Sequence, residues 1–367
     1  MKFKKTELSY KFYLLVIAIL WGATAAFSQN YMFKKMDKAF KVSPSVSMNI
    51  TSKYGDIHVV QTRSDSVSVS VKAYVKNSVR AEYTNVMNNI TFVMQQSGNS
   101  IVLQTQFNDS YSQILSDFKT LTEPLKESDK DILIQYEIKV PSYLNLTIHH
   151  KFGDIKLPEH KGKIDITLQN GKISAPKISG NININLSFGL LTVYELNNSK
   201  IDARYSKLEL GKISYLELIT KSCTTEIDNA NILKLVSKRD KIDINSVNSI
   251  FGDAYFSTIN ADLVNSELSM TTKYGNIKVQ NISEKFLYVN VDSKYTDLLL
   301  FFQNGCSYKM DVTHVNVSLI YPTDLSKVQQ KYLENKQQLT FGTIGKENTN
   351  SKVKITAEQS KVGLYRK

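Results

Sequence analysis

The sequence predicts an all-β fold, a parallel β-helix or β-solenoid built from short stacked rungs. Two observations predict it. The first is a recurring tag: Lys53-Tyr54-Gly55-Asp56-Ile57, Lys151-Phe152-Gly153-Asp154-Ile155 and Lys273-Tyr274-Gly275-Asn276-Ile277, with looser copies at Phe188-Gly189, Tyr205-Ser206 and Tyr295-Thr296-Asp297. The second is the strict alternation around each tag, as in Ile164, Ile166 and Leu168, or Ile182, Ile184 and Leu186. Period-two alternation buries one strand face, and a single rung has nothing to bury it against. A turn-plus-strand unit at a nearly fixed period solves this by stacking on its own copies.

The chain opens with Lys2, Lys4, Lys5 and Lys11, the apolar run Phe12 to Leu20, and small residues ending Ala26-Phe27-Ser28. That order matches an export signal with cleavage after Ser28, which places the product in the periplasm, at the cell surface or outside the cell. The apolar run is shorter than the ~20 residues of a membrane span, and no later stretch is long enough to span a bilayer.

Residues 29–145 read as an N-terminal capping region of strands and helices. Val46 to Ile50, the first tag, and Val67 to Val71 read as strands. Val79, Tyr83, Val86, Met87 and Ile90 fall at helical spacing, and Tyr111, Ile114, Leu115 and Phe118 suggest a second helix. Between these lies a hairpin from Phe92 to Phe107 turning at Ser97-Gly98-Asn99-Ser100, and Ile132 to Pro141 is a strong strand.

Residues 146–320 carry the solenoid repeats. Aligning the aliphatic residue after each turn gives Ile155, Ile173, Leu191, Leu208, Ile227, Ile242, Leu263, Ile277 and Leu298, a mean step near 18 residues. Phe251-Gly252-Asp253 offers a competing turn in the less regular stretch. In the tag, the aromatic residue suggests a ladder at a corner. The Gly is expected to supply a positive φ and the Asp or Asn to bond the local backbone. The hand is expected to be right, although the spacings do not fix it.

Val315 to Leu319 reads as a strand after the repeats. Residues 321–367 then read as a C-terminal cap: a helix beginning at Pro322-Thr323-Asp324 with Leu325, Val328, Tyr332 and Leu333 on one face, and a final strand from Val353 to Ile355. Such a cap would cover an exposed terminal rung.

Formal charge is +12, and removing four lysines and Glu7 with the signal leaves +9. The excess is scattered lysine with few arginines and no basic block interleaved with aromatics, which argues against nucleic-acid readout. A basic exported surface suits acidic polysaccharide or anionic lipid. The two cysteines, Cys223 and Cys306, lie four to five rungs apart, or ~20 Å at the strand spacing. A disulfide needs Cα atoms within about 7 Å, so free thiols are expected.

The histidines His58, His149, His150, His160 and His314 show no metal-ligand spacing, and adjacent His149 and His150 point to opposite strand faces. No nucleophile, phosphate-loop or metalloprotease motif is present. The sequence therefore nominates no catalytic, cofactor or metal residues. The acids Asp56, Asp154, Asp253 and Asp297 recur once per turn, as a polysaccharide lyase or hydrolase of β-helix fold would require. A turn-forming role explains the same recurrence. The remaining alternative is a periplasmic partner of an envelope signalling system.

The run Ile134 to Leu157, with Tyr136-Glu137-Ile138-Lys139-Val140-Pro141, then Asn145-Leu146-Thr147-Ile148, then Lys151 to Ile155, resembles the bacterial putative-adhesin family related to the head GIN adhesin domains of Bacteroidetes. The resemblance extends over most of the chain after the signal. It implies a parallel β-helix and a non-enzymatic, adhesin-like or structural role at the cell envelope, with an unnamed polymer or protein as partner. Where that family carries glycine in the tag, this chain has Ser206 and Thr296.

Overall fold

A computed structural model describes residues 33–75, 87–107, 132–323 and 326–367. The expected signal segment with its cleavage at Ser28 and the helix expected around Tyr111 to Phe118 lie outside the described residues. Apart from two helical residues, Met87 and Asn88, the regular structure of the described chain is β-strand, and all the strands join one mixed sheet, consistent with a β-solenoid.

The repeating unit is two strands meeting at a sharp corner. It first appears as β2 (Ser47–Lys53) and β3 (Asp56–Thr62). The next copy in space is β8 (Asn145–Lys151) with β9 (Ile155–Lys156), in register from Ser47↔Asn145 to Lys53↔Lys151 and at Ile57↔Ile155. The stack then winds through β10 (Ile164–Arg204), β11 (Lys207–Lys221), β12 (Thr224–Lys238), β13 (Lys241–Tyr255), β14 (Thr258–Ile282) and β15 (Tyr288–Phe302), each parallel to the next. Pairing skips Gly211 and Ser214 between β10 and β11, so each rung also bends twice more gently away from the corner.

The register corrects the aliphatic alignment. Leu208 pairs with Thr225, Thr225 with Ile242, and Ile242 with Ile259, so the column contains Thr225 and Ile259, not Ile227 and Leu263. The step through this stretch is a constant 17 residues. Threonine fits because a single small polar atom matches the shape of valine, and Thr225 is fully buried. Phe251-Gly252-Asp253 is likewise no turn: it lies inside β13 and pairs with Lys234 to Val236.

Among the described residues, antiparallel pairing occurs only toward the ends. At one end β6 (Ser100–Phe107) pairs parallel with β2 and antiparallel with β5 (Ile90–Ser97), the expected hairpin, with Gly98 at φ 53° in its turn. Beside it β7 (Ile132–Pro141) pairs parallel with β3 and antiparallel with β4 (Ser66–Val75), which carries β1 (Phe33–Lys41). Ile90 therefore opens a strand, while Met87 and Asn88 are helical and Val79 to Val86 lie outside the described residues.

The other end departs from expectation. Val315 to Leu319 is not one strand. β16 (Tyr308–Val315) and β17 (Ser318–Ile320) flank a corner at Asn316, whose φ of 53° breaks the extended run. The expected helix over Leu325 to Leu333 is β18 (Ser326–Tyr332), paired antiparallel along its length with β19 (Gln338–Ile344). A full ladder to a neighbouring strand outweighs the weak helical spacing there, and Tyr332, expected to share one helix face with Val328 and Leu333, is 76% exposed.

The last strands, β20 (Lys352–Glu358) and β21 (Lys361–Arg366), do not add to the end of the stack. They slot between β15 on one side and β16 and β17 on the other, parallel to both. The N-terminal end repeats this device, since β2 and β3 sit between β6 and β7 on one side and β8 and β9 on the other.

Candidate functional site: the corner ridge

Among the described residues, each sharp corner of the stack carries a non-glycine residue in the left-handed region. In spatial order these are Tyr54, Phe152, Asn170, Phe188, Tyr205, Ser222, Arg239, Phe256, Tyr274, Tyr295, Gln359 and Asn316, with φ between 49° and 64°. The structure therefore brings together the sequence-predicted tag residues Tyr54, Phe152, Phe188, Tyr205, Tyr274 and Tyr295 on one ridge. It also reassigns their roles. The aromatic residue takes a positive φ in every tag, and the glycine shares it, as expected, at Gly55 (φ 104°) and Gly153 (φ 158°) but not at Gly189 and Gly275. The glycine is there for room: a Cβ on Gly153 would sit 1.7 Å from the carbonyl oxygen of Gly55, and one on Gly275 2.3 Å from that of Ser257.

Left-handed backbone costs a bulky residue about 1 kcal/mol or more, so the ridge needs compensation. Ring stacking supplies part of it. Tyr54 stacks on Phe152 at 5.6 Å, Phe188 on Tyr205 at 5.1 Å, and Phe256, Tyr274 and Tyr295 form a run at 4.9 Å steps. Five of these rings remain half exposed, from 39% for Tyr295 to 54% for Phe188, whereas Tyr54 and Phe152 are more covered. The Arg239 guanidinium extends the run, 5.8 Å from the Phe256 ring centre.

The residue just before each corner is frequently cationic. Lys53 lies beside Lys151. Farther along, Arg204, Lys221 and Lys238 pair in successive rungs, then Tyr255, Lys273 and Lys294. Partial burial and the neighbouring Lys151 ammonium hold Lys53 below the usual lysine range. Lys294 is bound by Glu358 at 2.7 Å, and Arg204 contacts Asp202 at 3.4 Å. Lys221, Lys238 and Lys273 make no ion pair among the described residues.

The tag acids have a different role from the one expected. They reach into the next rung, not their own turn: the Asp154 amide donates to Asp56 Oδ1, the Lys172 amide to Asp154 Oδ1, and the Lys361 amide to Asp297 Oδ1, each at 2.9 Å. Asn276 shares their column through its register with Asp297. Asp253 does not, because it pairs with Val236 and Thr271 and so precedes its corner residue Phe256 where the others follow theirs.

Beneath the ridge, most corners without glycine carry inward polar side chains, the Asn316 corner being followed instead by Val317, which packs against the core. Asp240 is buried and accepts four hydrogen bonds, from the Thr220 and Ser237 hydroxyls and the Cys223 and Lys238 amides, at 2.6–2.8 Å. Cys223 is buried beside it, where desolvation raises its thiol pKa. Cys306 is half-buried, with its pKa pushed up to about 11 mainly by burial. Both thiols are free.

Sequence reasoning missed Asn170, Ser222, Arg239 and Phe256. The available signal was the 17-residue step, which leads from Tyr205 directly to 222, 239 and 256. The eye follows aromatic-glycine pairs, and Phe251-Gly252 was a decoy.

Elsewhere, a cleft of about 250 Å³ is lined by Asp56, His58, Ser70, Lys72, Gln135, Tyr136 and Glu137. His58 and Glu137 are cross-strand neighbours, and Glu137 is engaged by Lys139 at 3.3 Å. His150 and His160 are buried. Nε2 of each donates to a carbonyl, Gly55 or Leu144, and Nδ1 of His150 lies 2.6 Å from the Ser52 hydroxyl. Among the described residues, no three His, Cys, Asp or Glu side chains cluster as a metal site would, and no helix is long and apolar enough to cross a membrane.

No family model matches the chain, and no curated protein does. Nine solved chains match in structure. A putative cell adhesion protein of Clostridium sporogenes is 10% identical, covering 91% of this chain and all of its own, with a TM-score of 0.18. A putative adhesin of Bacteroides fragilis is 12% identical over 90% of this chain and 97% of its own, TM-score 0.25. A putative lipid binding protein of Parabacteroides distasonis is 10% identical over 72% and 94%, TM-score 0.29. Identity at that level leaves few side chains in common, so the ridge's own residues carry the functional case. The chain's structural neighbours thus include putative adhesins of Clostridium and Bacteroides, the kind of family that the Ile134 to Leu157 run resembles.

Proposed function

We propose that this chain is an exported, non-enzymatic, adhesin-like β-solenoid of the bacterial cell envelope, and that the corner ridge is the edge with which it grips an extended envelope or extracellular polymer. One observation carries this: half-exposed rings and unpaired cations recur at rung spacing along a single line. Aromatic faces suit sugar and lipid surfaces, and a cation column suits anionic ones. The tag acids lend no support to a lyase or hydrolase, because three of them are occupied in holding the amides of adjacent rungs. On the same proposal the stack is right-handed, cleavage follows Ser28, and residues 29–145 and 321–367 contain the caps of a 146–320 repeat region.

The test is a binding screen of residues 29–367 against neutral glycans, acidic polysaccharides, peptidoglycan fragments and anionic vesicles at two salt concentrations. Salt-sensitive binding to at least one polymer is expected. A uniformly negative screen sinks the polymer-binding role.

A further inference from the structure

The aromatic ladder is interrupted at two places. Asn170 stands between Phe152 and Phe188, and Ser222 between Tyr205 and Arg239. Resting on the ridge as the interaction edge, we propose that the Ser222 gap is a slot for one carboxylated sugar ring, a uronate within an acidic polysaccharide.

The dimensions fit a single ring. Neighbouring rings of the ladder stand 4.9 to 5.6 Å apart, so a ring lying over Ser222 would rest at stacking distance from Tyr205. Tyr205 offers one free face there, since its other face is covered by Phe188 at 7° and the residue is 51% exposed. The opposite wall is Arg239, one further rung away. A pyranose has an apolar C–H face for Tyr205 and an edge that bears its carboxylate.

The charge fits as well. Lys221 precedes the slot on its own rung and Lys238 stands beside it on the next, both exposed and without an ion pair among the described residues. With Arg239 they offer three cations to one anionic ring, and charge-assisted bonds of this kind are the strong ones. Most surrounding acids are committed elsewhere: Asp202 to Arg204, Glu209 and Glu226 to Lys207, Asp243 to Lys241, and Asp240 to its four inner donors, and Asp253 stands on the rung beyond Arg239, opposite Val236. The Asn170 gap differs. Its side chain is longer, and Gln169 and Ser187 stand where Lys221 and Lys238 stand at the Ser222 gap.

The experiment compares hexagalacturonate with its carboxyl-reduced neutral counterpart, by titration calorimetry on the full chain and on Ser222→Phe. Phe188 and Phe256 already occupy this corner position at φ 55°, so the variant is expected to fold and melt no lower than the parent. Filling the slot should weaken hexagalacturonate at least about tenfold. Lys221→Gln with Lys238→Gln should weaken it similarly and flatten its salt dependence. Parent binding that survives Ser222→Phe overturns the slot but leaves the ridge. Binding of other polymers in the screen without hexagalacturonate, or equal binding of the neutral oligomer, also overturns the uronate slot alone. Absence of binding to any polymer overturns both.

Discussion

The chain turns the same corner in two ways. At Gly55, Gly153, Gly171, Gly189 and Gly275 the residue after the left-handed position has no side chain, and the backbone passes so close that a Cβ would strike the previous rung's carbonyl at 1.7–2.3 Å. At Ser206, Cys223, Asp240, Ser257 and Thr296 a polar side chain turns inward instead. The Ser206, Ser257 and Thr296 hydroxyls donate to the carbonyl two residues back, at 2.8–3.1 Å. The first solution spares polar groups and demands space. The second accepts a buried polar atom and uses it to satisfy backbone groups, so its cost on mutation lies in lost partners.

The sharpest way to break the polar corner is Asp240→Ala. It strands two hydroxyls and two amides and should cost about 4 kcal/mol in chemical denaturation, with Asp240→Asn intermediate. A loss below that of an exposed salt bridge would show that the network is not structural.

The glycine corner should yield next. Gly153→Ala must displace the Gly55 carbonyl and is expected to lose about 3 kcal/mol by the same assay, whereas Ser206→Ala should lose only about 1 kcal/mol. Equal losses at the two positions would erase the distinction between the corners.

A smaller effect is expected from pH. Burial holds His150, His160 and His314 below the ordinary imidazole range, His150 against the opposing pull of its bonds to Gly55 and Ser52. The unfolded chain therefore binds more protons near pH 6.5, and stability falls as pH drops through that value, levelling off below the folded pKa. Melting temperature between pH 7.5 and 5 should decline in the parent and decline less in His150→Gln. Parallel profiles would remove His150 from the account.

Tyr274→Ala, which removes the central ring of the Phe256–Tyr295 run, should cost about 1 kcal/mol. Thr225→Val should run the other way. The Thr225 hydroxyl is buried with no partner among the described residues, so the valine variant is expected to gain about 1 kcal/mol. A destabilised valine variant would mean that the hydroxyl is satisfied after all.

The stacking and the corner were legible because both are local: a tag, then alternation, as at Lys151 to Leu157. What sequence hid was of two kinds. Ser222 and Arg239 look like no turn, since the left-handed geometry there is imposed by neighbouring rungs rather than by residue preference. The tail was misread because β18 owes its strand form to β19, a partner that helical spacing within residues 325–333 cannot reveal. The uncommitted cations were visible as lysines, but which had been claimed by Glu or Asp was a matter of register.

The insertion of β20 and β21 between β15 and β16–β17 has a bearing on the order of assembly. A chain emerging from its N-terminus can extend the stack only as far as β15, and must then hold residues 308–344 aside until residues 352–366 arrive. Those fifteen residues work as a keystone. Removing them opens a seam inside the stack and sets the β16–β19 unit adrift.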